Sequence, residues 1–220
     1  VVAPQPIAGG SVAIEPDLSN AAPFLAAAII AGGTVTIEGW PEATTQVGAD
    51  LETLLARFGA QVTRDHASLT IDGGAGLLGG AALPGINVDL STGGELAPAV
   101  IAIAALASTP SRITGIGHLR GHETDRLAAL ATEINAIGGE VRELEDGVEL
   151  DPAPLHGGLW HSYEDHRMAT AGAIIGLAVP GIEIDDITTT SKTLPQFVEL
   201  WTGSLLGTHE RRSDPTLGGA

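Results

Sequence analysis

Arg120, Arg126, Arg167 and Lys192 stand in or beside polar motifs at element ends, in a chain that sets ten bases against 27 acids and has a single lysine. Arginine forks suit bidentate contact with a carboxylate or phosphate, and lysine acts as a point charge. An acidic protein that keeps its few bases at glycine-flanked or cap-flanked turns is suited to binding an anionic small molecule. The densest such stretch is Leu119-Arg-Gly-His-Glu-Thr-Asp-Arg-Leu127, where His122 and Glu123 lie between two arginines. The plainer reading of one such cluster is a capped helix with a solvated first turn. Against that reading, similar clusters recur at equivalent places along the chain. Arg57, Arg64, Arg112, Arg142, Arg211 and Arg212 read as ordinary surface residues.

The elements that must position these groups follow from the apolar spacing. Gly115, Gly117 and Gly121 mark a turn ahead of a helix. That helix is expected over about 124–137, with Leu127, Leu130, Ile134 and Ile137 on one face and Thr124 or Asp125 as N-cap. The charged cluster then sits at a helix N-terminus, where free N–H groups and the helix dipole favour anions.

A net charge of −17 argues against nucleic acid and anionic membrane surfaces as partners. With no cysteine, disulfides, thiolate metal sites and a cysteine nucleophile are unavailable in this sequence. The longest apolar runs, near 21–31 and 96–107, are interrupted and too short to span a bilayer. No signal peptide is visible, so a cytoplasmic protein is expected.

Three similar units follow an opening, 1–14, that reads as a linker or the end of a preceding domain. The first enters an alanine-rich helix at 22–31, then a strand at 34–38, a helix at about 47–58 ended by Gly59, and a hairpin of 61–64 with 68–71. The second repeats this with a helix at 96–107, a strand near 111–114, the helix 124–137, and a hairpin turning at Asp146-Gly147. Leu55–Val62 matches Ile134–Val141, with Gly59 and Gly138 79 residues apart. The third has a helix at 168–178, a strand at 182–185, a polar loop with Lys192 and a last helix near 195–202. The implied fold class is α/β: a pseudo-threefold domain with apolar helices inside and sheets outside. The helix starts near Ser19-Asn20, Glu95 and Asp165-His-Arg167 would gather at one pole.

These motifs resemble the second half of the 5-enolpyruvylshikimate-3-phosphate synthase family (3-phosphoshikimate 1-carboxyvinyltransferase), its actinobacterial members in particular. The resemblance is carried by Leu119-Arg-Gly-His-Glu-Thr-Asp-Arg126, Asp165-His-Arg-Met168 and Lys192-Thr193 with Pro195. Glu15-Pro-Asp-Leu-Ser-Asn-Ala-Ala22 and the Gly94-Glu95 helix entry support it. It implies an enolpyruvyl transferase fold of two domains, each of three βαβαββ-type repeats, of which this chain is one. The repeats would span about 15–75, 86–151 and 160–202 within a domain of 15–202, with a flexible tail at 203–220. The implied reaction transfers the enolpyruvyl group of phosphoenolpyruvate to shikimate 3-phosphate and releases phosphate, in aromatic amino-acid biosynthesis, with no metal or organic cofactor. The implied partners are those two substrates and an N-terminal domain outside this chain; a monomer is expected, and the chain alone would be inactive.

By the same resemblance, Arg126, Arg167 and Lys192 bind phosphoenolpyruvate, and glyphosate competes there. Glu95 takes the 5-hydroxyl proton, at a position where many members carry Asp, and Glu123 is a candidate acid near C3. His122, where lysine is common, would touch shikimate 3-phosphate, and Asp165 and His166 would orient the site. Simpler roles stand beside these: Arg126 as an i,i+3 partner of Glu123, Lys192 as a solvated loop lysine, Glu95 as a first-turn acid and Asp165 as an N-cap. UDP-N-acetylglucosamine enolpyruvyl transferase shares the fold and the phosphoenolpyruvate chemistry, and a non-catalytic anion-binding domain is a further alternative.

Overall fold

The computed structural model describes residue 6 and residues 8–205. Arg211, Arg212 and the greater part of the expected tail lie outside the described residues.

Three helices form the interior. They are α1 (Ala22–Ala31), α3 (Ala97–Ala104) and α5 (His166–Gly176), and they pack on one another. All eight residues of α3 are buried, as are eight of the ten of α1. Alanine permits this, because a helix lined with methyl groups can be approached closely on every side. Pro23 and Pro98 sit in first turns, where the missing N–H has no helical partner to lose. Gly172 carries the same logic further: a Cβ there would meet Trp160 Cδ1 at 2.7 Å. Trp160 is fully buried and donates from Nε1 to the Met168 carbonyl at 2.9 Å.

Sheets and shorter helices cover this bundle. In the first repeat, β1 (Thr34–Glu38), α2 (Leu51–Arg57), β2 (Gln61–Asp65) and β3 (Ser68–Asp72) give an antiparallel sheet in the order β1-β3-β2. The second repeat adds β4 (Asn87–Asp89), β5 (Ser111–Thr114), α4 (Arg126–Ala136), β6 (Glu140–Glu143) and β7 (Val148–Asp151) in the order β4-β5-β7-β6. Here β4 runs parallel to β5, and the hairpin β6-β7 turns through Asp146-Gly147. Gly59 and Gly138, the pair matched in sequence, end α2 and α4 with φ of 96° and 92°, a conformation glycine adopts without steric cost.

The third repeat is the reduced one. It holds β8 (Gly158–Trp160) parallel to β9 (Ile182–Ile184), then a 3-10 turn at Ile187–Lys192, α6 (Phe197–Glu199) and a wide π-type turn at Leu200–Leu205. Among the described residues it has no hairpin. Among the described residues the first repeat has no counterpart to β4 either: Val12 and Ile14 are 80% and 85% exposed and belong to no strand.

Candidate active site

The polar pole is built where α1, α3 and α5 begin. A narrow crevice there is lined by Ser19, Pro23, Glu95, Pro98, His166 and Arg167, among others. The three interior helices therefore present their first turns to one place, as the repeat pattern implied.

Asp165 is the centre of the first half of the site. Its carboxylate caps α5 by accepting from the Arg167 N–H at 2.8 Å. It also receives the Arg126 fork, Nε to Oδ2 at 2.6 Å and Nη2 to Oδ1 at 3.1 Å. Both groups are buried, Arg126 at 2% and Asp165 at 0% exposure. The carboxylate that caps α5, as expected of Asp165, is thus the one that grips Arg126. Arg126 opens α4, whose N-cap Asp125 accepts from the Ala128 N–H at 3.1 Å. The pair therefore ties the second repeat to the third.

Glu123 extends the chain of charges outward. Its Oε2 accepts from Arg126 Nη2 at 2.7 Å, and its Oε1 from Lys192 Nζ. The Lys192 hydrogen bond, with the Arg126 charge behind it, holds the Glu123 carboxyl down at about 2 from an ordinary 4.5. In this arrangement Glu123 is ionised at neutral pH. Arg126 keeps Nη1 without a protein partner among the described residues, and Lys192 is half-exposed. Both retain donors for an incoming anion.

Arg167 forms the other half. Its Nη2 donates to Ser19 Oγ at 2.8 Å and to Glu95 Oε2 at 3.3 Å, joining the starts of α5, α1 and α3. Beside it, His166 is 6% exposed, and neither ring nitrogen has a hydrogen-bond partner. Burial and the neighbouring Arg167 cation push the His166 imidazole below its ordinary value, so it is neutral at pH 7.

His122 stands apart. It is exposed, its ring lies 6.0 Å from that of His118, and it bonds to none of the other expected site residues. Arg120 is committed elsewhere too: it pairs with Asp125 and Glu143 and donates to the carbonyls of Leu144 and Glu145. Among the described residues no group of three or more acids and histidines is placed to hold a metal, and no helix is long and apolar enough to cross a membrane.

Two features of the site escaped the reading of the sequence. Thr170 and Thr190 line the crevice but carry no motif. Glu133 and Asp185 brace the turn that launches α5. Glu133 had one available signal, a lone acid inside the apolar stripe Leu130, Ile134.

The family model for EPSP synthase (3-phosphoshikimate 1-carboxyvinyltransferase) matches residues 1–201. The chain belongs to the EPSP synthase family. A 3-phosphoshikimate 1-carboxyvinyltransferase of Kocuria rhizophila is 56% identical over 200 residues, covering 91% of this chain and 44% of the relative. Among solved structures, an EPSP synthase from Acinetobacter baumannii superposes with a TM-score of 0.69 at 27% identity, covering 85% of this chain and 45% of the other. The enolpyruvyl transferase NikO from Streptomyces tendae superposes with a TM-score of 0.65 at 19% identity, over 86% of this chain and 42% of its own, and supports the fold alone. This chain thus spans less than half the length of the EPSP synthases it matches, the extent of one domain of the two-domain enolpyruvyl transferase fold.

Proposed function

We propose that this chain supplies one domain of a site that transfers the enolpyruvyl group of phosphoenolpyruvate to the 5-hydroxyl of shikimate 3-phosphate. The observation that carries the reading is the gathering of Arg126, Arg167 and Lys192, with Glu123 between Arg126 and Lys192 and Glu95 beside Arg167, at the pole where three helices begin. Family membership and the Kocuria relative favour this acceptor over UDP-N-acetylglucosamine.

In the addition step the 5-hydroxyl oxygen bonds to C2 of phosphoenolpyruvate while C3 gains a proton, giving a tetrahedral intermediate. In the elimination step C3 gives a proton back, the C2–O bond to phosphate breaks, and phosphate leaves. The phosphate and carboxylate that each substrate carries need cations and oriented N–H groups, of which the pole offers a share. Arg126 through Nη1, Arg167 and Lys192 are the proposed partners of phosphoenolpyruvate. Glu95, exposed and in contact with Arg167, is the proposed acceptor of the 5-hydroxyl proton. Glu123 is the candidate for C3. An anion that draws Lys192 away removes the contact that lowers the Glu123 carboxyl most, so ligand binding shifts that carboxyl upward, toward its ordinary value. His122 faces solvent, where shikimate 3-phosphate held by a second domain could reach it. Asp165 holds Arg126, and His166 fills the floor of the crevice. Glyphosate, an anion at both ends, competes for the same three bases. The working enzyme is read as a cytoplasmic monomer of two such domains.

The test is phosphate release from phosphoenolpyruvate with shikimate 3-phosphate, by this chain alone and with a complementary N-terminal half. Activity only in the mixture is expected. Turnover by the chain alone would contradict the split site. A mixture that turns over only with UDP-N-acetylglucosamine would replace the acceptor.

A further inference from the structure

Tyr163 and Glu164, in succession, hold φ at 55°, a left-handed geometry unfavourable for residues with a Cβ. They immediately precede Asp165, which caps α5 and grips Arg126. Such a conformation persists only where its surroundings over-determine it. Here the surroundings are specific. Glu133, on α4 and 2% exposed, accepts from the Tyr163 hydroxyl through Oε1 at 2.6 Å and from the His161 N–H through Oε2 at 2.9 Å. From the opposite side, Asp185 Oδ1 accepts from the Ser162 N–H at 2.9 Å and its hydroxyl at 2.7 Å. The Asp165 N–H closes the turn onto the Ser162 carbonyl at 2.9 Å.

Glu133 follows Arg126 by seven residues, about two helical turns, so both project from the same face of α4. The helix therefore meets residues 161–165 twice, with Arg126 at one end of the segment and Glu133 at the other. A buried carboxylate needs its bonds satisfied, and both donors to Glu133 come from this one segment. Burial, with the Glu133 bond behind it, pushes the Tyr163 phenol up to about 12, so it remains a proton donor.

We propose that Glu133 is a positioning residue of the anion site, holding Tyr163 and His161 so that the left-handed turn delivers the Asp165 carboxylate to the Arg126 fork. Its link to catalysis rests on the phosphoenolpyruvate reading above; its link to the Asp165–Arg126 pair does not. Without the carboxylate the turn relaxes toward negative φ, Asp165 shifts, and Arg126 and the first turn of α5 lose their common anchor.

The experiment compares the full chain with Tyr163→Phe, Glu133→Gln and Glu133→Ala. One readout is hydrogen exchange of the Arg126 Nε–H by nitrogen-edited NMR, without ligand. The other is affinity for phosphoenolpyruvate and for inorganic phosphate. Faster Arg126 Nε–H exchange is expected in all three, with affinity down by about tenfold, the size of one weakened charge-assisted contact. Glu133→Gln, which keeps one acceptor oxygen, is expected to retain more than Glu133→Ala. Folded variants with lowered unfolding temperature but unchanged Arg126 exchange would overturn the proposal, reducing Glu133 to a structural brace. Should Glu133→Ala fail to fold, Tyr163→Phe carries the test. A wild-type chain that binds neither anion, yet shows the Arg126 response in the variants, would sink the ligand reading and leave the positioning role standing.

Discussion

Two clusters of bases and acids in this molecule have nearly the same composition and different consequences. On the outer sheet, Glu149 on β7 accepts from Arg112 on β5 and Arg142 on β6, its direct cross-strand neighbours. At the pole, Asp165 and Glu123 share Arg126, and Glu123 also meets Lys192. The sheet cluster is solvated and joins strands of one repeat. The polar cluster is buried at its centre and joins α4 to α5 across two repeats. Coulomb attraction in water is weak and screened, whereas a charge kept from water depends on its partner. Counting ion pairs would rank the two alike; burial separates them.

The sharpest way to break that comparison is Arg126→Met. It leaves the Asp165 carboxylate buried and unpaired, and destabilisation of about 3–5 kcal/mol is expected by urea unfolding. A loss under about 1 kcal/mol would mean that water reaches Asp165 and that the two clusters are alike. Adding Asp165→Asn to Arg126→Met is expected to recover part of the loss, since no charge is then stranded. Next in size is Arg167→Ala. Ser19 keeps its hydrogen bond to Asp17 and Glu95 is solvated, so no charge is stranded and the loss of stability should be smaller than for Arg126→Met. Phosphoenolpyruvate affinity, followed by titration calorimetry, should fall by roughly tenfold or more as a charge-assisted contact is lost.

A smaller effect is expected from acid. The folded Glu123 carboxyl sits at about 2 against an ordinary 4.5, so its pairing stabilises the fold above pH 4.5 and is lost as pH falls from there toward 2. Glu123→Gln should therefore show a flatter stability profile across that window. With Lys192 half-exposed, the difference should be on the order of 1 kcal/mol or less. Smallest of all, Arg112→Ala or Arg142→Ala should shift stability by about 0.2–1 kcal/mol and leave anion affinity untouched. Anion binding that responds to either variant would tie the outer sheet to the site.

Local rules made much of this architecture legible in the sequence. A cap at Thr124 or Asp125, the Asp146-Gly147 hairpin and strand 111–114 follow from cap, turn and alternation chemistry, and the structure has each, with Asp125 as the cap. Helix α5 starts two residues earlier than its apolar spacing suggests, because Asp165 caps it and the polar pair His166-Arg167 still lies in the first turn. The unit-by-unit analogy failed where pairing depends on distant partners. Val12–Ile14 has strand-like composition, but no neighbour in the described chain pairs with it. The third repeat likewise has no segment between its last strand and α6 that alternates like β6 and β7.

At the site, residue types singled out Arg120, Arg126, Arg167 and Lys192, and the family resemblance named only the last three. What stayed hidden was commitment. Nothing in the spacing says that Arg120 is spent on Glu143 and two carbonyls while Arg126 is driven inward onto Asp165. The left-handed pair Tyr163-Glu164 was equally invisible, since neither residue type favours positive φ. Tertiary bonds from Glu133 and Asp185 hold it, with the Asp165 N–H closing the turn.

The contact between Arg167 and Ser19 spans 148 residues. Closing so long a loop carries an entropic penalty that only late, cooperative packing offsets, and contacts of this sequence separation slow folding. The first two repeats can gather their own helices and hairpins early, but the crevice exists only after the first and third have met across the second. Recovery of anion binding during refolding should therefore trail the return of helical signal, making the ligand a reporter of the final docking step in this domain's assembly.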